Sequence, residues 1–269
     1  MKEIFSMWRN TRMIILTAFS AAIYAAVLIP FKVVIPLIPG FTEFRPANAI
    51  PIVCSVFFGP AGAWGSAIGN FIGDALGGTF GLGSIFGFFG NFLYGLIPYK
   101  ILYPVKTPDR GIQISLVPKN LFILLWAILN ASLVCAGVIA WGVDMLGLVP
   151  FAALGSIIFL NNFVVAGILS PILIQSLQKR LLNWHLVYAE IMEEKDLPNY
   201  KSPFIKRLGI ILLFVGGISG LIIGISISLG VYKSALFAMG FSQGMKGGIS
   251  IALGLIPSLI LIIVSLFLL

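Results

Sequence analysis

An all-α protein that crosses the membrane several times is the fold class this chain predicts, and three observations carry the prediction. Hydrophobic residues fill 59% of its 269 positions and charged residues only 10%, where a soluble domain carries roughly a quarter charged. The apolar residues gather into runs of about 20, the length at which a helix crosses a bilayer. Lys and Arg lie at the edges of those runs and between them. Together these features predict a polytopic membrane protein of about eight transmembrane helices, a six-helix bundle followed by a two-helix hairpin.

The elements follow in order. A basic start, "MKEIFSMWRNTR", precedes a first helix over 13–30. It resembles the charged region of a signal peptide, but the apolar run behind it is a full span long and leads into further spans. A short helix over 46–58 and another over 61–78 flank "FFGPAG" (57–62), whose Gly-Pro step predicts a tight hairpin. Further helices are expected over 82–102, 120–141 and 151–178. Residues 179–206 are polar and predict a connector, with an interfacial helix around Leu181–Ile191. Helices over 207–230 and 247–269 complete the chain. The expected organisation is a substrate-binding membrane domain over 1–180, a linker over 181–206 and a C-terminal hairpin over 207–269.

Orientation follows from the basic residues. With the N-terminus inside, 13 of the 17 Lys and Arg fall on the inner side, and only Lys32, Arg45, Lys233 and Lys246 fall outside. The positive-inside bias then predicts both termini in the cytoplasm. That placement also explains the net charge of +8 without nucleic acid. Cys54 and Cys135 lie in apolar runs, which argues against a disulfide framework. A single histidine, His185, leaves no basis for a His-built metal or haem site. No catalytic pair and no Walker A pattern stands out, so neither an enzyme nor a bound cofactor is expected.

Two patterns mark function. Small residues recur every fourth position at Gly65, Gly69, Gly73 and Gly77, again at Gly83 and Gly87 continued by Asn91 and Gly95, and at Gly216, Gly220 and Gly224. In lipid such stripes are helix contact surfaces. Amides and one carboxylate lie beside them, and polar groups within a span normally face a partner or a cavity. Asn70 and Asp74 share a face on the third helix, Asn91 and Tyr94 lie on the fourth, Asn130 on the fifth, and Asn161 and Asn162 on the sixth. Their similar depth predicts a pocket open to the outside, with Asp74 awaiting a donor or cation on the ligand. The preceding loop, "PGFTEFRPANAIP" (39–51), adds Glu43, Arg45 and Asn48 among aromatics. On helix 1, Ala18, Ala22 and Ala25 offer a small-residue surface, either for a neighbouring helix of this chain or for a helix of another protein.

These residues resemble the substrate-binding S components of energy-coupling factor (ECF) vitamin transporters. The resemblance spans about residues 10–180 and rests on the AxxxA spacing of helix 1, the loop "FTEFRPANAIP" and the run "FFGPAGAWGSAIGNFIGD" (57–74). It implies a six-helix binding protein for a vitamin or related micronutrient, with an outward pocket covered by the loop after helix 1. It also implies a transmembrane coupling protein and two ATPase subunits as partners, with Ala18 and Ala22 in the docking role. The extra helices after residue 206 depart from the six-helix pattern. The alternative is a self-sufficient secondary transporter coupled to protons or ions through Asp74.

Overall fold

The computed structural model describes residues 1–34, 36–38, 41–43, 45–103, 118–198, 202–231 and 249–269. Its helices are α1 (Glu3–Ser6), α2 (Thr11–Val34), α3 (Ala49–Phe58), α4 (Pro60–Leu76), α5 (Gly83–Leu102), α6 (Pro118–Met145), α7 (Phe151–Asn183), α8 (Tyr188–Ile191), α9 (Pro203–Ser228), α10 (Ile249–Gly254) and α11 (Ile256–Leu268). Between α2 and α3 a small antiparallel pair forms, β1 (Pro36–Ile38) with β2 (Thr42–Glu43). Five helices are long and apolar enough to cross a membrane, and shorter apolar ones stand beside them. The chain is an all-α multi-pass membrane protein.

Glycine sets how closely the helices approach. A Cβ added at Gly65 would lie 2.4 Å from Ser20 Cβ, at Gly69 2.8 Å from the Ala21 carbonyl oxygen, and at Gly73 2.7 Å from Leu28. The stripe on α4 is therefore the seat of α2. The other side of α4 meets α5, where a Cβ at Gly95 would lie 2.8 Å from Ala63 Cα and one at Gly87 2.9 Å from the Asn70 amide. The expected α3–α4 hairpin forms at Gly59, whose φ of 55° only glycine adopts without strain.

The C-terminal elements pack onto the bundle. A Cβ at Gly217 would meet Leu133 at 3.0 Å and one at Gly224 would meet the Phe151 ring at 2.4 Å, while Gly216 and Gly220 face Ser258 and its neighbours on α11. Helix α9 thus has glycine contacts on two sides. Ser202 caps it by accepting a hydrogen bond from the Ile205 amide. The last predicted helix is broken into α10 and α11 at Leu255, just before Pro257, which has no amide proton to continue the ladder.

Two regions differ from the sequence expectation. The first dozen residues are more than a basic tail: α1 buries Ile4, the turn after it buries Met7, and the Ile4 carbonyl accepts a hydrogen bond from Trp64 Nε1 at 3.0 Å. Glu3 forms a buried ion pair with Lys100 of α5. The interfacial helix expected around 181–191 does not form as one element. Helix α7 continues to Asn183, His185 turns the chain at a φ of 52°, and α8 is a single turn that buries Tyr188 and Ile191.

Candidate functional site

Where α4, α5, α6 and α7 meet near the α4–α5 turn, the bundle holds a cavity of about 450 Å³, within the range of small-molecule sites. One wall is polar: Arg45, Asn70, Asp74, Thr79, Ser84 and Asn91. The facing wall is aliphatic, with Ile139, Val143, Leu148, Leu154 and Ile158 from α6, α7 and the turn between them. Phe41 and Phe80 add aromatic surface. The stretch 78–84, with glycine at Gly78, Gly81 and Gly83, completes the lining.

The polar wall is a connected network. Asp74 Oδ1 is held by the Lys32 ammonium, which also donates to Thr79 Oγ1 at 2.7 Å. Asp74 Oδ2 accepts from Asn70 Nδ2 at 3.3 Å, and Asn70 Oδ1 in turn accepts from Arg45 Nη1 at 3.3 Å. Lys32 reaches the carboxylate because Gly77 has no side chain: a Cβ there would lie 2.6 Å from Lys32 Cδ. The last glycine of the α4 stripe thus admits a cation as well as a helix. Asn91 Nδ2 donates to the Gly87 carbonyl one turn back at 2.8 Å, and its Oδ1 accepts from Tyr24 at 3.0 Å.

Behind this wall lies a second set of polar side chains that do not line the cavity. Asn48 Nδ2 donates to Asn162 Oδ1 at 2.6 Å, and Tyr94 reaches the carbonyls of Asn48 and Asn162 at 3.3 and 3.2 Å. Asn161 Oδ1 accepts from the Arg45 amide at 3.3 Å. All of these residues are buried except Arg45, which is partly so. Their bonds tie the segment before α3 to α5 and α7, so they brace the polar wall from below.

The ten residues expected to bind substrate therefore divide. Arg45, Asn70, Asp74 and Asn91 line the cavity; Asn48, Tyr94, Asn161 and Asn162 form the supporting network. Asn130 joins neither: it is fully buried and donates to the Trp126 carbonyl of its own helix at 2.8 Å. The Glu43 side chain lies outside the described residues. Asp74, expected to find a donor or cation on a ligand, already has an internal cation in Lys32. Sequence reading treated Lys32 only as a topological charge; its spacing one turn from the end of an apolar helix was the signal for a buried role. Tyr24 was hidden within the alanine-rich face of α2.

That alanine face resolves into two. Ala18, Ala22 and Ala26 are exposed along one edge of α2, whereas Ala21 and Ala25 are buried. Ala25 is thus internal and does not share the free surface with Ala18 and Ala22. No His, Cys, Asp or Glu cluster suited to a metal ion occurs among the described residues.

Residues 14–179 match the family described as QueT transporter. The chain belongs to the QueT family. QueT proteins are S components of ECF transporters, so the resemblance read from the helix 1 spacing and the 41–51 and 57–74 runs identifies this chain's class. The match ends within α7, and α9 to α11 lie beyond it. No curated protein and no solved structure matches the chain.

Proposed function

We propose that this chain captures a queuosine precursor from outside the cell and passes it to an ATPase-driven partner complex. The observation that carries the reading is the two-faced cavity, with hydrogen-bonding groups on one wall and aliphatic side chains on the other. Queuosine is a modified purine nucleoside, so a base precursor is flat and rimmed with donors and acceptors. Its faces would stack against Ile139, Val143 and Ile158 while its edge meets Asn70, Asp74 and Asn91. Membership of the QueT family, which transports queuosine precursors, supports the ligand class, and the basic-residue bias supports placing the cavity end outside, with both termini in the cytoplasm.

The exposed edge of Ala18 and Ala22 is the surface we assign to the transmembrane coupling protein, which would bring two ATPase subunits. Small residues let a partner helix approach closely, and added bulk there is poorly tolerated. The whole of residues 1–180 would form the binding domain, with 181–206 as a linker and 207–269 as an attached hairpin.

The test is purification of the tagged protein from cells expressing the ATPase module. Its copurifying subunits are identified and its small-molecule cargo is read by mass spectrometry. ATPase copurification together with a purine-like ligand is expected. Ala18→Trp or Ala22→Trp should abolish uptake while the isolated protein still binds ligand. Uptake at full rate in cells lacking the ATPases would instead establish the secondary transporter coupled through Asp74.

A further inference from the structure

The family match ends at residue 179, yet the helices beyond it grip the turn that carries the cavity's aliphatic wall. Helix α7 opens at Phe151 behind Pro150, whose side chain can accept no hydrogen bond, so the first amides of α7 need acceptors from elsewhere. Asp144, at the end of α6, accepts from the Phe151 amide, and Ser228, at the end of α9, accepts from the Ala152 amide at 3.1 Å. The fully buried Phe151 ring fills the notch left by Gly224 of α9, where a Cβ would lie 2.4 Å from it. On α6, Trp141 Nε1 donates to the Ala252 carbonyl of α10 at 3.2 Å. Both arms of the turn are thus held by helices outside the matched region. Ile139 and Val143 before the turn, Leu148 within it, and Leu154 and Ile158 after it make up the apolar wall.

We infer that α9 is part of the binding apparatus, with Gly224 and Ser228 as positioning residues that set the aliphatic wall at the spacing the ligand needs. Leu154 and Ile158 follow Phe151 by about one and two turns on the same helix, so a displaced Phe151 ring carries their side chains with it. A flat ligand held between two walls loses dispersion contact steeply once the gap widens by about half an ångström. Gly216, on the same helix, faces α11 instead: a Cβ there would lie 3.1 Å from Ile262 and from the Ser258 carbonyl oxygen. It shares the helix and not the turn, which makes it the matched control.

The inference rests on the reading of the cavity as the substrate site, and the test keeps the two apart. Binding of 7-aminomethyl-7-deazaguanine, a modified purine base, is measured by calorimetry on purified full-length protein. Wild type is compared with Gly224→Ala, Gly216→Ala and Gly224→Ala/Phe151→Leu. Gly224→Ala should weaken binding about tenfold. Gly216→Ala should leave it unchanged, and the shorter side chain of the double variant should restore most of the affinity. An α9 that merely anchors would lower the melting temperature in both single variants and change affinity in neither, which would overturn the inference. If Gly224→Ala does not fold, Ser228→Ala puts the same question through one lost hydrogen bond. It should bind about threefold more weakly, while Ser228→Thr, which keeps the hydroxyl, stays close to wild type; equal affinities would overturn the inference. Failure of wild type to bind the base would overturn the substrate reading alone, because hydrogen exchange over 146–154 in the ligand-free protein tests the positioning independently. Faster exchange in Gly224→Ala or Ser228→Ala than in Gly216→Ala supports it, and equal exchange refutes it.

Discussion

Two buried lysine–carboxylate pairs stand at opposite ends of the bundle, and they do different things. At one end Glu3 pairs with Lys100, and its second oxygen takes the Met1 ammonium at 2.8 Å. At the other, Asp74 pairs with Lys32 and shares hydrogen bonds with the neutral groups of Asn70 and Thr79. Glu3 and Lys100 are both almost fully enclosed, 3% and 4% exposed at the side chain, and they join α1 to α5. Asp74, 11% exposed, keeps one face on a cavity of about 450 Å³, whereas Glu3 and Lys100 border a smaller one of about 190 Å³. The same chemistry is a staple where cations surround the carboxylate, and part of a cavity wall where a neutral amide and a hydroxyl join it. What decides the role is the company of the pair, since desolvating two charges gives no assured gain in stability by itself.

Breaking the staple should have the largest effect. Lys100→Met leaves Glu3 buried with its main partner gone, a loss of about 3–5 kcal/mol in such sites, and the remaining Met1 contact places the expected value at the lower end. Thermal unfolding in detergent measures it. An unchanged melting temperature would show that the two ends are not different in kind.

The helix seam between the pairs sharpens the comparison next. Gly69→Ala would place a methyl group 2.8 Å from the Ala21 carbonyl oxygen, forcing α2 and α4 apart at a cost of about 1–3 kcal/mol. Because Lys32 rides on α2 and Asp74 on α4, the same substitution should weaken ligand binding as well as stability. A loss of stability without loss of affinity would separate the seam from the site.

The smallest effect is a pH dependence at the Glu3 end. Burial alone would raise the Glu3 carboxyl, but attraction and hydrogen bonding from Lys100, with the Met1 ammonium, outweigh it and hold the group below the usual carboxylate range. A carboxyl depressed on folding contributes stability above its unfolded pKa and loses that contribution as pH falls through the folded value. Melting temperature should therefore decline on acidification below the carboxylate range, and Glu3→Gln should flatten that decline.

Much of this was legible in the sequence, for identifiable reasons. Helices announce themselves through length and hydropathy, so the eight predicted segments reappear as α2 to α7, α9 and α10–α11 with ends shifted by a few residues. Polar residues inside spans are rare enough to point inward, which found Asn70, Asp74 and Asn91. Partners are another matter. Lys32 and Asp74 are 42 positions apart, and nothing local pairs them. Asn130 was indistinguishable in sequence from the amides that do join, because its rotational setting on α6 is fixed by tertiary packing. Alpha-1 was missed because four residues of helix carry no period, and its burial depends on Trp64 and Lys100 arriving from elsewhere.

The glycine stripe on α4 has one consequence in entropy. Ordering a long side chain at a helix contact removes rotamer freedom, whereas glycine and alanine have none to lose. The seam of Gly65, Gly69 and Gly73 against Ala21 and its neighbours therefore gains dispersion contact with little ordering cost. In lipid, where apolar burial supplies little drive, that makes α2 and α4 the pair whose association is least opposed. Hydrogen exchange should find their facing amides among the slowest in the protein, a rigid spine beside the cavity.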